Sequence, residues 1–135
     1  MGRPLSDITI YYYGHLIKKT PEGSEFGRIV NFISDFYHNF LEGYKPPKTS
    51  RITLHVGPTI SLAGPRYLGA ICIYNKIFNE EEYLSLSKHG RYKYILDLLH
   101  FAVLELSETY GWDKSVFIKS YNHIIASQFK FERVY

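Results

Sequence analysis

Arg51-Ile52-Thr53-Leu54-His55-Val56 is the stretch that decides the fold. Ile52, Leu54 and Val56 alternate with Arg51, Thr53 and His55, and a period of two becomes two distinct faces only in an extended strand. One face suits a core and the other suits water. The segment therefore predicts a sheet that is covered on one side and open on the other.

The flanking sequence supplies the rest of the layer. Upstream, Ile8 to Tyr13 sets Ile8, Ile10 and Tyr12 against Thr9, Tyr11 and Tyr13 in a run of β-branched and aromatic types, which predicts a first strand. From about Arg28, the residues Ile29, Ile33, Phe36 or Tyr37, and Phe40 recur every three or four positions and predict a helix. Gly43 suits the left-handed position past its end, and Pro46-Pro47 cannot continue it. Downstream, Tyr67 to Ile73 is apolar at almost every position and reads as one central strand. The segment from Gly57-Pro58 to Gly64-Pro65 is longer than a tight hairpin needs.

The second half reads as helical. Asn79 followed by Glu80, Glu81 and Glu82 is a helix start, with Phe78 and Tyr83 placed as a hydrophobic staple. Gly90 is expected to separate this short helix from a long one that carries Tyr92, Ile95, Leu99, Ala102, Val103 and Leu106 as far as Gly111. In Tyr110-Gly111-Trp112-Asp113, the glycine ends one helix, the aspartate caps the next, and Trp112 can staple onto Phe117. Phe129 to Glu132 suggests a last short strand. The order strand, helix, strand, strand, helix, helix predicts an α+β fold in one domain, residues 1–135. Its expected form is an antiparallel sheet of three to four strands with helices packed on one face, including a C-terminal helical hairpin.

Composition narrows the function classes. The chain has 135 residues and a formal charge of only +3, with Lys and Arg scattered rather than clustered into a phosphate-binding stripe. One cysteine, Cys72, excludes an internal disulfide and suits a reducing compartment. No run approaches the roughly 18 to 20 apolar residues that cross a bilayer, and the N-terminus lacks the apolar segment of a secretion signal, so the expected location is the cytoplasm, with no membrane partner.

Six histidines invite a metal or acid–base hypothesis. His15, His38, His55, His89, His100 and His123 form no i, i+4 pair, no HExxH and no set with paired cysteines, so no metal ligands are expected. Asp97 and His100 can share a helix face as a carboxylate-oriented base, but His100 stands between Leu99 and Phe101, where a packed histidine is the simpler reading. Cys72 sits in the apolar run Ala70-Ile71-Cys72-Ile73 and reads as core rather than nucleophile. The glycines form neither a P-loop nor GxGxxG, and no cofactor is expected. A small enzyme would need distant residues to converge, for example His15, His55 and His100 around one cleft.

The one compositional anomaly is 13 tyrosines beside 9 phenylalanines and a single tryptophan. Alternation places Tyr11, Tyr13, Arg51, Thr53 and His55 on the open sheet face, and tyrosine and arginine are over-represented among binding hot spots. The candidate partner-binding residues are Tyr11, Tyr13, Arg51, His55, Arg66 and Tyr67. The alternative partner is single-stranded nucleic acid stacked on a tyrosine-bearing sheet. Against it, Arg66 to Ile73 lacks the paired aromatics of the RNA-recognition signature.

The run Ile95-Leu96-Asp97-Leu98-Leu99-His100 into Glu105-Leu106-Ser107, then Tyr110-Gly111-Trp112-Asp113 and Phe117 through Tyr121-Asn122, resembles the helical part of small α+β immunity proteins that accompany bacterial polymorphic toxins. The resemblance covers about the last third of the chain together with its size and element order. It implies a non-enzymatic cytoplasmic protein that occludes the active site of a cognate toxin, and it carries over no contact residue. Immunity proteins against nucleases often present acidic surfaces, whereas this chain is mildly basic, which points away from a nuclease toxin.

Overall fold

The computed structural model describes Leu5, residues 7–14, 22–61 and 63–130, the side chains of 22–24 excepted. Among these the order is β1 (Asp7–Tyr12), α1 (Glu22–Asn39), β2 (Arg51–Gly57), β3 (Arg66–Leu68), β4 (Ile71–Ile77), α2 (Glu80–Ser85), α3 (Lys88–Tyr110) and α4 (Lys114–Ala126). The architecture is α+β, with a four-stranded sheet in the order β1-β2-β4-β3.

The sheet is mixed rather than antiparallel. β1 pairs parallel with β2, β2 pairs parallel with β4, and only β3 runs antiparallel, against β4. The cause is the connection. α1 has 18 residues, so it spans about 27 Å at 1.5 Å per residue and returns the chain past the whole length of β1. β2 then starts from the same end and runs in the same direction. Residues 58–65 next carry the chain across two strand spacings, about 10 Å, to the far edge. β3 runs back from there, and β4 fills the gap. That crossing is why the loop is longer than a hairpin requires.

The run read as one strand from Tyr67 to Ile73 is broken. Gly69 adopts φ +59°, a left-handed conformation that suits glycine, and the chain reverses there between β3 and β4. The amide of Ser50 donates to the Ala70 carbonyl at 2.8 Å, which ties this turn to the start of β2.

Ile8, Ile10, Ile52, Leu54, Val56 and Cys72 point to one side and join Ile33, Phe36 and Tyr37 of α1 with Leu99, Val103 and Leu106 of α3 in the core. α1 packs on β1, α3 on β4, and α1, α3 and α4 on one another. At the helix ends, Asn79 accepts from the Glu82 amide and Phe78 lies 5.5 Å from Tyr83, as expected. The break before α3 comes earlier than Gly90. Ser87 is the cap, its Oγ accepting from the Gly90 amide, so Gly90 lies inside the helix. Gly111 takes φ +71° at the end of α3, and Asp113 caps α4 by accepting from the Ser115 amide. Phe129 and Lys130 lie in and just after a turn, and the remainder of the anticipated last strand falls outside the described residues. No described helix is long and apolar enough to cross a membrane.

Candidate functional site

Strand register assembles the second face of the sheet. Residues opposite one another in neighbouring strands point to the same side, so Asp7, Arg51 and Ile71 form one row, Thr9, Thr53 and Ile73 the next, and Tyr11, His55 and Asn75 a third. β3 adds Arg66 opposite Ile73 and Leu68 opposite Ile71. Ile77 continues the alternation of β4, and Tyr13 follows β1, its amide donating to the Val56 carbonyl at 2.7 Å.

This face is an uneven mixture of aromatic, apolar and polar groups. Tyr11 of β1, Tyr13 just past it, Leu68 of β3 and Ile77 of β4 are 49%, 56%, 69% and 44% exposed on this face. His55 lies between the two tyrosines, with ring centroids 5.9 Å from Tyr11 and 5.2 Å from Tyr13, both edge to face. Partial burial lowers the His55 pKa, and the nearby Arg66 guanidinium lowers it further, so the imidazole is held towards its neutral form. Arg66 Nη2 donates to Asn75 Oδ1 at 3.2 Å, and Asn75 Nδ2 donates to the Ser61 carbonyl at 2.8 Å, so the loop after β2 is clamped to the sheet. At the other corner Arg51 approaches Asp7 at 3.9 Å with both side chains nearly half exposed, a pair that contributes little to stability.

The structure thus gathers five of the six anticipated residues, Tyr11, Tyr13, Arg51, His55 and Arg66, on one face. Tyr67 is the exception. It is opposite Cys72 and points to the helix side, its hydroxyl 2.5 Å from Thr49 Oγ1 and its ring 5.1 Å from Tyr110. Burial raises its pKa. Reading β3 and β4 as one strand hid the alternation within each, so the sequence did not separate Tyr67 from Arg66 by face. The same reading did not place Leu68, Ile73, Asn75 and Ile77 on the open face. Once Gly69 is taken as a turn, counting in twos from Ile71 finds the last three.

His55 and His100 do not converge. His55 touches Tyr11 and Tyr13 on the open face, whereas His100 is buried in the helix layer with Nδ1 2.9 Å from the Tyr37 hydroxyl and its ring stacked on Tyr121 at 4.1 Å. His15 lies outside the described residues. Asp97 does not orient His100, since its oxygens accept from Lys93 Nζ and the Tyr121 hydroxyl, each at 2.7 Å. Burial pushes the His100 pKa down to about 4, against the opposing pull of Asp97. Its neutral ring serves as a hydrogen-bonded packing group. Cys72 is fully buried, and burial pushes its thiol up to about 11, far from a reactive thiolate. No group of three His, Cys, Asp or Glu among the described residues could hold a metal ion.

A cleft of about 290 Å³ opens beside this face, lined by Pro58, Ile77, Phe78, Asn79, Glu80 and Glu81. Its carboxylates stand in the first turn of α2, where they offset the helix dipole. The open face carries large rings with hydroxyl tips, branched aliphatic groups, and two guanidinium groups at its margins. The chain matches no protein-family model, no curated protein and no solved structure.

Proposed function

We propose that the chain is a non-enzymatic protein-binding module, an immunity protein that binds and neutralises a cognate bacterial toxin in the cytoplasm. The observation that carries this reading is the open sheet face. Sheets built from parallel strands are ordinarily covered on both sides, and here the sheet has the helix layer on one side and, on the other, Tyr11, Tyr13 and Ile77 of the parallel part and Leu68 of β3 exposed. A toxin seated there would supply the missing layer. The tyrosines would be its anchors and Arg51 and Arg66 its polar rim, with α3 and α4 as a helical hairpin stiffening the sheet from behind. The rim favours a toxin whose active-site border carries carboxylates, because a guanidinium binds a carboxylate through two parallel hydrogen bonds.

Co-expression tests the reading. Cells that make the toxin domain encoded beside this chain should survive only when the chain is present, and the two proteins should co-purify. Replacing both Tyr11 and Tyr13 with Ala should abolish protection while leaving the fold intact. Death of cells carrying the intact chain would remove the proposal. So would a salt-dependent shift of a labelled single-stranded oligonucleotide with no toxin bound, which would favour the base-stacking alternative.

A further inference from the structure

Beside the four on the open sheet face, the exposed large apolar side chains among the described residues are Phe101 and Ile118, at 55% and 41%. Both lie in the helix layer, Phe101 on α3 and Ile118 on α4, and every residue from 88 to 126 is described. Two contacts fix how these helices stand side by side. Lys114 Nζ is 2.6 Å from Glu108 Oε2, and the Tyr121 hydroxyl donates to Asp97 Oδ1 at 2.7 Å, so α4 runs antiparallel to α3. Phe101 and Leu104 fall between Asp97 and Glu108, as Ile118 falls between Lys114 and Tyr121, and spacings of three and four keep each set on one helix face. The outward surface therefore has three levels: an ion pair, an apolar group, and an acid with a hydroxyl. Its charge is also divided by helix. From Tyr94 to Asp113 the chain has Asp97, Glu105, Glu108 and Asp113 and no Lys or Arg, whereas α4 has Lys114 and Lys119 and no Asp or Glu.

We propose that this surface packs on the same surface of a second copy, about a two-fold axis parallel to the helices, to close a four-helix bundle. Such an axis sets α3 opposite α4 of the second copy and antiparallel to it, which is the arrangement of up-down bundles. Charge selects it. An axis across the helices would set α3 against α3 and bring carboxylates together, whereas the parallel axis lays acidic α3 on basic α4 twice. It also keeps each level at its own height. Glu108 meets Lys114 of the second copy, so carboxylate and ammonium groups alternate around a ring of four. The Glu108 and Lys114 side chains are 70% and 41% exposed despite their own pair, which leaves each with room for a second partner. Phe101 and Leu104 meet Ile118, and the two exposed apolar side chains leave water. Asp97 meets the Tyr121 hydroxyl. The dimer does not rest on the proposed toxin partner, and it leaves the open sheet face of both copies uncovered.

Light scattering coupled to gel filtration at about 100 μM, a concentration at which micromolar association is largely complete, should give twice the 15.8 kDa chain mass. Glu108→Lys should halve that mass by making the ring wholly cationic, and Lys114→Glu should halve it by making the ring wholly anionic. Mixing these two variants in equal amounts should restore the doubled mass, because α3 of each then opposes an α4 of opposite charge. Phe101→Ser should also give the mass of one chain, by removing the apolar level. All three positions are at the surface, and circular dichroism establishes that each variant is folded. Should either charge variant unfold, Phe101→Ser decides the matter. A monomeric mass for the unmodified chain overturns the proposal. So does a doubled mass that survives in any folded variant, and so does a mixture of the two charge variants that stays monomeric.

Discussion

The two faces of β2 are built from neighbouring residues and obey different rules. Ile52, Leu54 and Val56 are completely buried, while Arg51 is exposed and His55 half-buried one residue away. On the helix side each side chain is fixed by packing, so its identity is answerable to stability. On the open side Thr53 and Asn75 are also buried and Arg66 helps clamp the loop after β2, whereas Tyr11 and Tyr13 stay about half exposed, and their presence calls for another cause. The same contrast separates the two histidines. His100 is enclosed by Tyr37 and Tyr121 and held neutral, while His55 sits among surface rings. A residue type thus says little about role until its face is known.

The sharpest way to break this contrast is to shorten a side chain on each face. Leu54→Ala leaves a void in a fully buried site and should cost about 3 kcal/mol, within the usual range for such truncations. His55→Ala, its neighbour, should cost less than about 1 kcal/mol. Urea denaturation of both variants reads the difference, and equal losses would show that the open face is part of the core. The pH dependence of stability comes next. A histidine held at about 4 when folded and at about 6.5 when unfolded favours the unfolded chain once that chain binds protons. Stability is therefore full above about pH 6.5, falls as the pH drops towards 4, and levels off below. The difference corresponds to roughly 3 kcal/mol. His100→Gln does not titrate, so its stability deficit relative to the unmodified chain at pH 7 should narrow by that amount at pH 4. A deficit that stays constant would mean that His100 is not held neutral.

How far this division could be read in advance depended on one residue. The alternation in Arg51 to Val56 was plain, and with Ile8 to Tyr13 it placed Tyr11, Tyr13, Arg51 and His55 on one face. The caps at Asn79, Gly111 and Asp113 were also legible, because capping is local chemistry between residues two to four apart. Strand direction was not. It depended on the length of the α1 crossover, which a list of strand and helix segments does not weigh. The other failure was Gly69, hidden in an apolar run where β-propensity outweighed its signal as a turn, and it alone misplaced Tyr67. Gly69→Ala tests that account. A Cβ there would meet nothing within 4 Å, so the whole penalty is that of the left-handed backbone, about 1 to 2 kcal/mol. A neutral substitution would mean that the β3–β4 turn is not held in that conformation.

The smallest expected effect on stability decides most about role. Tyr11→Ala and Tyr13→Ala each remove a ring packed edge to face on His55, a contact of about 0.5 to 1 kcal/mol at a site about half open to water. Thermal midpoints should move by a few degrees at most. If the tyrosines were there for the fold, the pair together would melt the sheet as Leu54→Ala does, and loss of toxin protection would follow from unfolding alone. If they are anchors, protection disappears from a chain whose melting and circular dichroism are nearly unchanged. Only that dissociation separates a surface kept for a partner from one that supports the strands beneath it.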